Sequence, residues 1–353
     1  MTVGFGIIGS GYMGRTYAAG LSIGQVADGR LVAIAGGRRA PSVAAEFAMD
    51  AESSVERLLG RPDIDAVILT SPHAAHLAQA LAAAAAGKHV YTEKPMSVSI
   101  SGCDAMIDAC RSAGVQLAVN KVLRFRIAPR AAKRLIDDGA IGDVRLIQSR
   151  GSWTSFLLHD VLDEAGRVIV PAKPWALDPA EGSQFLDWGV HASDILRWFT
   201  GSEAVLAFAR YHTFGEAPPA DLTAVVSYEF ASGALAQVLM TYELPEPGLE
   251  PADGVMVVGS RGMIDCDLYG EVRLARAGGW EVVAKQPPFD FLRDYLDPNR
   301  LEAFSAQVQD FAQAIETGRA PAVTGADGRA AVEMVMAADR SAATGQAVPL
   351  PFQ

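Results

Sequence analysis

Cysteine is scarce in this chain, which has three cysteines among 353 residues and no C-x-x-C pair. Cys103 and Cys110 lie two turns apart on a predicted helix, a rise of roughly 10 Å that is too long for a disulfide. This usage excludes a disulfide-stapled scaffold and predicts a reducing, cytoplasmic setting.

Long hydrophobic runs are also missing. The longest apolar stretch, 74–86, is interrupted by His76 and Gln79 and is too short to cross a bilayer. The first predicted strand begins near Thr2, which leaves no room for a secretion signal. We therefore expect neither a membrane-spanning segment nor a signal peptide.

Positive charge is in short supply, with 30 Lys and Arg against 41 Asp and Glu, and the net charge is −11. Nucleic acids and anionic membranes attract basic surfaces, so neither is expected as the main partner. A local basic pocket for one phosphate remains compatible with this balance. The length of the chain predicts two domains.

The first 122 residues alternate short apolar runs with helical patterns. This alternation predicts an α/β fold, a Rossmann-type doubly wound parallel sheet with helical crossovers. The predicted strands are Val3–Ile8, Leu31–Ala35, Ala66–Thr70, His89–Thr92 and Gln116–Val119, and the predicted helices are Tyr12–Leu21, Pro41–Phe47, Ala74–Ala86 and Gly102–Ala113.

The remaining residues, 123–353, have a different pattern of longer strands joined by short turns. This pattern predicts an α+β domain with a large open antiparallel sheet, whose last helix is available to pack back on the first domain. The predicted strands are Val144–Gly151, Val205–Tyr211, Ala224–Phe230, Ala234–Tyr242, Val255–Gly259 and Met263–Leu268, and the predicted helices are Pro129–Asp138, Ala192–Phe199, Leu301–Glu316 and Ala326–Thr344. Two long loops are predicted at 155–174 and 243–254.

A glycine-rich turn joins the first strand to the first helix. Its sequence is Gly9-Ser10-Gly11-Tyr12-Met13-Gly14. The first glycine permits the tight turn, the second lets the backbone approach a pyrophosphate, and the third lets helix and strand pack closely. The helix N-terminus adds N–H groups and partial positive charge. The 1–122 domain is therefore predicted to bind a dinucleotide.

The end of the second strand lacks the acidic residue that binds the adenosine ribose of NAD. The sequence there is Ala35-Gly36-Gly37-Arg38-Arg39, and Asp28 precedes the strand. Gly37 leaves space for a 2′-phosphate, and Arg38 and Arg39 offer cations for it. NADP is therefore favoured over NAD. The alternative is NAD held by backbone groups beside two solvated arginines.

A lysine follows the predicted strand His89–Thr92, in the segment Glu93-Lys94-Pro95. The carboxyl ends of parallel strands open onto the ligand crevice of doubly wound folds. Lys94 is therefore placed where the reactive ring of a cofactor would lie, and Pro95 restricts it to extended dihedrals. The alternative is a lysine that caps a strand end in solvent.

The second domain contains the motif Asp187-Trp188-Gly189-Val190-His191. If a helix begins near Asp187 or Trp188, Asp187 and His191 are four residues apart and lie on one face. A carboxylate beside an imidazole suits a general acid–base pair. An N-capping aspartate with a core-facing histidine is the alternative, and Asp194 could serve the same face as His191.

Taken in order, these motifs resemble the Gfo/Idh/MocA family of NAD(P)-dependent oxidoreductases over essentially the whole chain. The resemblance rests on the glycine loop, Ser71-Pro72 with His76, Gly87-Lys88-His89-Val90, Glu93-Lys94-Pro95, Lys173-Pro174-Trp175 and Asp187-x-Gly-x-His191-x-x-Asp194. Members of the family oxidise a secondary alcohol of a sugar, inositol or related polyol, or reduce the matching ketone.

The resemblance implies roles for individual residues. Lys94, Asp187 and His191 would surround the reacting carbon beside the nicotinamide. Our hypothesis is that His191 accepts the hydroxyl proton and Lys94 stabilises the developing alkoxide, and the sequence leaves open which of the two is the proton acceptor. The expected cofactor-binding residues are Gly9, Gly11, Tyr12, Met13, Gly14, Gly37, Arg38, Arg39, Ser71, Pro72, His76, Glu93, Lys94 and Pro95. The expected substrate-binding residues are Lys94, Asn120, Arg124, Trp175, Asp187 and His191.

Two departures from the family pattern leave the substrate open. The chain has Glu181-Gly182-Ser183-Gln184 where the family often has a glycine run, and Asn120-Lys121-Val122-Leu123-Arg124 where it often has Asn-Tyr-Arg. His73 and His76 have no third ligand nearby, so metal binding is not expected. The resemblance also implies a homodimer or homotetramer through the open sheet.

Two other functions remain open at this point. One is a glycoside-cleaving or eliminating enzyme in which the NAD(P) is reduced and reoxidised within each turnover. The other is a non-catalytic dinucleotide-binding regulator, for which Lys94, Asp187 and His191 would not be needed.

Overall fold

The computed structural model describes residues 2–23, 26–153, 160–162, 166, 168–170, 178–215, 221–244, 252–290 and 294–351. The chain folds into two compact units. The first comprises Met1–Val122 and Phe289–Arg329, and the second comprises Leu123–Pro288 and Ala330–Gln353. In the described residues, no helix is both long and apolar enough to span a membrane.

The first unit alternates strands and helices. Its elements are β1 (Val3–Ile8), α1 (Tyr12–Ser22), β2 (Gly29–Ala35), α2 (Ala40–Glu46), β3 (Asp50–Glu52), α3 (Val55–Leu59), β4 (Ala66–Leu69), α4 (His76–Ala85), β5 (His89–Thr92), α5 (Ile100–Ala113) and β6 (Leu117–Val119). The strands form one parallel sheet in the order β3-β2-β1-β4-β5-β6. This order is that of a Rossmann fold, and the predicted fold class is confirmed.

The central strands of this sheet are buried on both faces. Every residue of β1 and β4 is buried, which explains why both appear in the sequence as unbroken apolar runs. Phe311, from a helix at Pro298–Thr317, adds to this core, with its ring centroid 6.4 Å from Phe5 and 5.8 Å from Tyr91. The C-terminal segment 289–329 is therefore part of the Rossmann unit.

The second unit contains a mixed, mostly antiparallel sheet. Its elements are α6 (Ile127–Asp137), β7 (Val144–Ser152), β8 (Val161–Leu162), β9 (Val168–Val170), α7 (Gln184–Thr200), β10 (Ala204–His212), β11 (Thr223–Phe230), β12 (Leu235–Thr241), β13 (Ala252–Gly259), β14 (Met263–Asp267), β15 (Glu271–Arg276), β16 (Gly279–Lys285) and β17 (Val348–Pro349). Of the two C-terminal helices, α8 (Pro298–Thr317) belongs to the first unit, and α9 (Gly325–Thr344) begins in the first unit and ends in the second. The nine-stranded order is β16-β15-β14-β13-β7-β12-β11-β10-β17, and only the β7–β12 pair among these neighbours is parallel.

The two faces of this sheet differ in burial. Val226, Val238 and Val257 point to the helix-covered face and are fully buried. On the opposite face, Val225 and Leu235 are 42% and 53% exposed. Alternation along each strand produces this difference, because successive side chains point to opposite faces. The open face holds a shallow groove of about 380 Å³.

Helix α7 begins earlier than the sequence predicts. Its first residue is Gln184, whereas the predicted helix starts at Ala192 and the acid–base argument requires a start near Asp187 or Trp188. Ser183 accounts for this start, since its hydroxyl accepts a hydrogen bond from the Leu186 backbone N–H at 3.0 Å. Asp187 and His191 therefore both lie within the helix, four residues apart.

Candidate active site

The glycine loop leaves a helix N-terminus open to an anion. Gly9 has a φ of +112°, and a Cβ on Gly14 would lie 2.1 Å from the Gly9 carbonyl oxygen. A Cβ on Gly11 would meet no atom within 4 Å. In the described part of the chain no side chain caps α1, and no acidic residue lies in its first turn. The N–H groups of this turn can thus serve a phosphate.

The turn after β2 lies against the glycine loop. A Cβ on Gly37 would lie 2.4 Å from Ser10 Oγ, and the φ of Gly37 is +77°. The two residues that follow, Arg38 and Arg39, are exposed. An acid near this turn was missed in the sequence: Glu52, on the neighbouring strand β3, pairs in register with Ala35 at the end of β2. Its carboxylate accepts a hydrogen bond from Arg61 at 3.0 Å.

Glu93 organises the carboxyl ends of β5 and β6. Its Oε1 accepts hydrogen bonds from Tyr17 Oη at 2.8 Å and from Asn120 Nδ2 at 2.6 Å. Its Oε2 accepts one from the Lys94 backbone N–H at 3.0 Å. Burial, with the Glu93 charge, raises the pKa of Tyr17, so the phenol stays protonated and acts as the donor. Glu93 therefore fixes the backbone at Lys94 and the side chain of Asn120 together.

His76 joins two loops at the same edge of the sheet. Its Nδ1 lies 2.9 Å from the Pro95 carbonyl oxygen and its Nε2 lies 3.0 Å from the Ser71 carbonyl oxygen. The Lys94–Pro95 peptide bond is cis. The ring of His76 thus connects the segment after β4, which includes Pro72, to the segment after β5. Groups of three potential metal ligands are absent from the described residues.

Lys121 is a second lysine at this edge, beside Asn120. Both residues are 2% exposed. The Lys121 backbone N–H donates to Gln307 Oε1 at 2.9 Å, which joins the end of β6 to α8. Lys94 itself is half-buried.

Helix α7 presents Asp187 and His191 from the second unit. Within Gln184–Leu196 these two side chains are partly exposed, and every other residue is buried. They form one stripe because residues four apart share a helix face.

Two carboxylates from elsewhere in the sequence hold the start of α7. Asp221 Oδ2 accepts hydrogen bonds from the backbone N–H groups of Gln184 and Phe185 at 2.6 and 3.3 Å. Asp339 accepts one from the Ser183 hydroxyl at 2.9 Å. Burial raises the pKa of Asp339 to about 6. The helix that carries Asp187 and His191 is therefore anchored at its first residue.

Arg124 and Asp194 form a bidentate ion pair in the second unit. Arg124 Nε donates to Asp194 Oδ2 at 2.8 Å and Nη2 donates to Oδ1 at 2.7 Å. The side chains are 11% and 1% exposed. The sequence predicts substrate contact for Arg124, and the structure places this edge of its guanidinium on α7, three residues after His191.

An aromatic cluster that sequence reasoning missed lies beside Asp187. The ring of Trp153 is 4.9 Å from Trp188 and 5.2 Å from Tyr242, and its Nε1 donates to Asp253 Oδ2 at 3.1 Å. Burial raises the pKa of Asp253 to about 8. These residues are too far apart in the sequence for any local pattern to reveal the cluster.

The predicted site residues are thus grouped by unit. The first unit brings together the glycine loop, the turn at Gly37 and the Lys94 segment at the carboxyl ends of its strands. The second unit holds Asp187, His191 and Arg124. Trp175 lies outside the described residues.

Comparison with known proteins gives the same family over both units. Residues 3–121 match the model described as "Oxidoreductase family, NAD-binding Rossmann fold", and residues 130–265 match the GFO/IDH/MocA C-terminal domain. The chain is 32% identical over 305 residues to a 1,5-anhydro-D-fructose reductase of Ensifer adhaerens, covering 84% of this chain and 83% of that protein.

Two further proteins are similar to this chain. Over 153 residues it is 35% identical to a 2,7-anhydro-N-acetylneuraminate hydratase of Mediterraneibacter gnavus, covering 43% of this chain and 40% of that protein. The structure of an aldose-aldose oxidoreductase from Caulobacter crescentus, complexed with glycerol, aligns with a TM-score of 0.79 at 26% identity, covering 99% of this chain and 100% of that one.

Proposed function

Because the chain belongs to the GFO/IDH/MocA oxidoreductase family, we propose that it transfers a hydride between a nicotinamide dinucleotide and a secondary alcohol or ketone of a sugar, inositol or sugar derivative. The observation that carries this proposal is the partly exposed Asp187–His191 stripe on an otherwise buried stretch of α7. A core helix would bury both residues, and an acid–base pair needs access to its substrate.

The first unit is suited to hold the dinucleotide. The uncapped α1 terminus and the open space at Gly11 fit a pyrophosphate. When bound, the nicotinamide supplies the hydride acceptor or donor. In our proposal Tyr12 and Met13 line the same loop, and Ser71, Pro72, His76, Glu93, Lys94 and Pro95 form the edge beside it.

We favour NADP over NAD as the cofactor. The exposed Arg38 and Arg39 follow the β2 turn, and the carboxylate of Glu52, which pairs in register with Ala35 at the end of β2, accepts a hydrogen bond from Arg61. The two cofactors can be compared by kcat/KM in the wild type and in Arg38→Ala and Arg39→Ala variants. We expect the arginine variants to lose kcat/KM with NADP and to keep it with NAD. A wild-type enzyme with the higher kcat/KM for NAD would contradict the assignment.

In the proposed mechanism His191 accepts the proton of the reacting hydroxyl. Lys94 donates a hydrogen bond to the same oxygen and stabilises its developing negative charge. Asp187 orients His191 or binds a neighbouring hydroxyl. Asn120, Arg124 and Trp175 are proposed to contact the rest of the substrate, and Glu93 keeps Asn120 and the Lys94 backbone in place.

The activity can be tested by screening sugars, inositols and glycosides with both cofactors at the nicotinamide absorbance. In His191→Ala and Lys94→Met variants, kcat should fall by about 10²–10⁴, the usual contribution of a positioned acid–base group. His212, which is exposed at the end of β10, offers a control. His212→Ala should keep wild-type kcat. If the His191→Ala variant kept nearly the full kcat over the whole pH range, His191 would be excluded as the base.

A second function is favoured by the partial similarity to the anhydro-sialic acid hydratase. In that case the enzyme cleaves a glycoside or catalyses an elimination, and the dinucleotide returns to its starting oxidation state in each turnover. Product would then form without net NAD(P)H. Steady accumulation of NAD(P)H with a sugar would support the dehydrogenase instead. A non-catalytic regulator would bind dinucleotide with no turnover on the whole panel.

We further propose that the protein forms a homodimer or homotetramer in the cytoplasm, through the open face of the sheet. Leu146, Leu206, Phe208 and Leu235 line the groove on that face. Exposed apolar surface of this kind commonly lies at subunit interfaces. Leu235→Glu together with Phe208→Glu should yield a smaller particle in analytical ultracentrifugation.

A further inference from the structure

Arg300 is a buried cation beside the glycine loop. It is 6% exposed, and its guanidinium lies 5.1 Å from the ring centroid of Tyr12 and 5.1 Å from that of Phe304. Its Nη1 donates to the Tyr295 carbonyl oxygen at 2.5 Å. The residue is therefore surrounded by aromatic rings and neutral oxygens.

No carboxylate forms an ion pair with Arg300 within the described part of the chain. The neighbouring Arg15 differs, since its Nε donates to the Glu46 carboxylate at 2.8 Å. A buried charge without a counter-ion is costly, and cation–π contacts offset only part of this cost. The arrangement indicates that an anion completes the environment of Arg300.

Arg300 is connected to the first turn of α1 by hydrogen bonds. Its Nη1 donates to Thr16 Oγ1 at 3.4 Å, and the Thr16 hydroxyl donates to the Tyr12 carbonyl oxygen at 3.1 Å. Tyr12 follows Gly11 directly, and its ring also contacts Tyr295 at 4.9 Å. Among the described residues this turn has no side-chain cap and no acidic residue, so its partial positive charge favours an anion there.

Resting on the proposed function, we propose that Arg300 is a positioning residue of the dinucleotide site. Its charge attracts the pyrophosphate, and its contacts hold Tyr12 at the mouth of the loop. The anion that balances Arg300 is thus the pyrophosphate of the cofactor. The segment that contains Tyr295 and Arg300 belongs to the dinucleotide site, although it lies almost 300 residues after the loop.

The test separates charge from packing at position 300. ADP-ribose, which contains the pyrophosphate without the nicotinamide, is titrated against wild type, Arg300→Gln and Arg300→Lys. Loss of the charge in Arg300→Gln should raise Kd about tenfold and make Kd less dependent on salt, because charge interactions are screened. Arg300→Lys keeps the charge and loses the stacking of the planar guanidinium on two rings, so its Kd should lie between those of wild type and Arg300→Gln.

Arg319→Gln is the control, because it removes the same charge from the exposed end of the same segment. It should bind ADP-ribose like wild type. If Arg300→Gln does not fold, Arg300→Met takes its place. The inference would be overturned if the uncharged variant bound ADP-ribose with the wild-type Kd. It would also be overturned if the lysine and glutamine variants bound ADP-ribose equally weakly, because the effect would then come from packing. A wild type that binds neither ADP-ribose nor NAD(P) would refute the proposed function as well.

Discussion

The buried pair between Arg124 and Asp194 should be a large contributor to the stability of the second unit. Two charge-assisted hydrogen bonds of 2.8 and 2.7 Å join them. Replacing Arg124 with methionine leaves the Asp194 carboxylate, which is 1% exposed, without its counter-ion. Breaking a buried pair in this way costs roughly 3–5 kcal/mol. We expect Arg124→Met to lower the free energy of unfolding by that amount.

Tryptophan fluorescence during urea unfolding is the suitable assay. All five tryptophans lie between positions 153 and 280, so the signal reports the second unit alone. The double variant Arg124→Met with Asp194→Leu should regain most of the loss, because no unpaired charge remains. Arg276→Met, which breaks an exposed pair with Glu281, should cost less than about 1 kcal/mol. Equal losses in the two single variants would refute the reasoning.

Two further predictions concern pH and the glycine loop. The folded-state pKa of Asp253 is about 8, above its ordinary value near 3.8, so this group destabilises the fold increasingly as pH rises between those values. Asp253→Asn keeps an acceptor for Trp153 and should therefore raise Tm more at pH 8 than at pH 5. An equal gain in Tm at both pH values would contradict the raised pKa. Gly11→Ala should weaken dinucleotide binding without lowering Tm, whereas Gly14→Ala should lower Tm because its Cβ would lie 2.1 Å from the Gly9 carbonyl oxygen; the opposite ranking in thermal melts would be inconsistent with the loop geometry.

Much of the first unit could be predicted from the sequence because its strands are buried on both faces. The predicted bounds of β1 and β5 agree with the structure, and the glycine loop lies between β1 and α1 as expected. The edge strand β16 was not predicted. Most of its residues are exposed, so the chain there lacks the alternation that marks a strand covered on one face.

The surroundings of the candidate site were harder to predict, since they depend on distant residues. Asp221 binds the first N–H groups of α7 from 37 residues away, and no spacing rule connects the two. Arg124 follows Asn120 closely in the sequence, which suggests a shared substrate role. Its partner Asp194 lies 70 residues further on. Local patterns identify chemical groups, and long-range contacts decide how each group is used.

The division of the Rossmann unit into two sequence segments has a consequence for biosynthesis. On the ribosome, Phe5 and Tyr91 emerge long before Phe311, the residue that packs against both. The core of the first unit therefore stays incomplete until Leu123–Pro288 has been synthesised and α8 follows. A fragment ending at residue 122 would expose the surface that α8 covers, and we expect such a fragment to need chaperones or to aggregate.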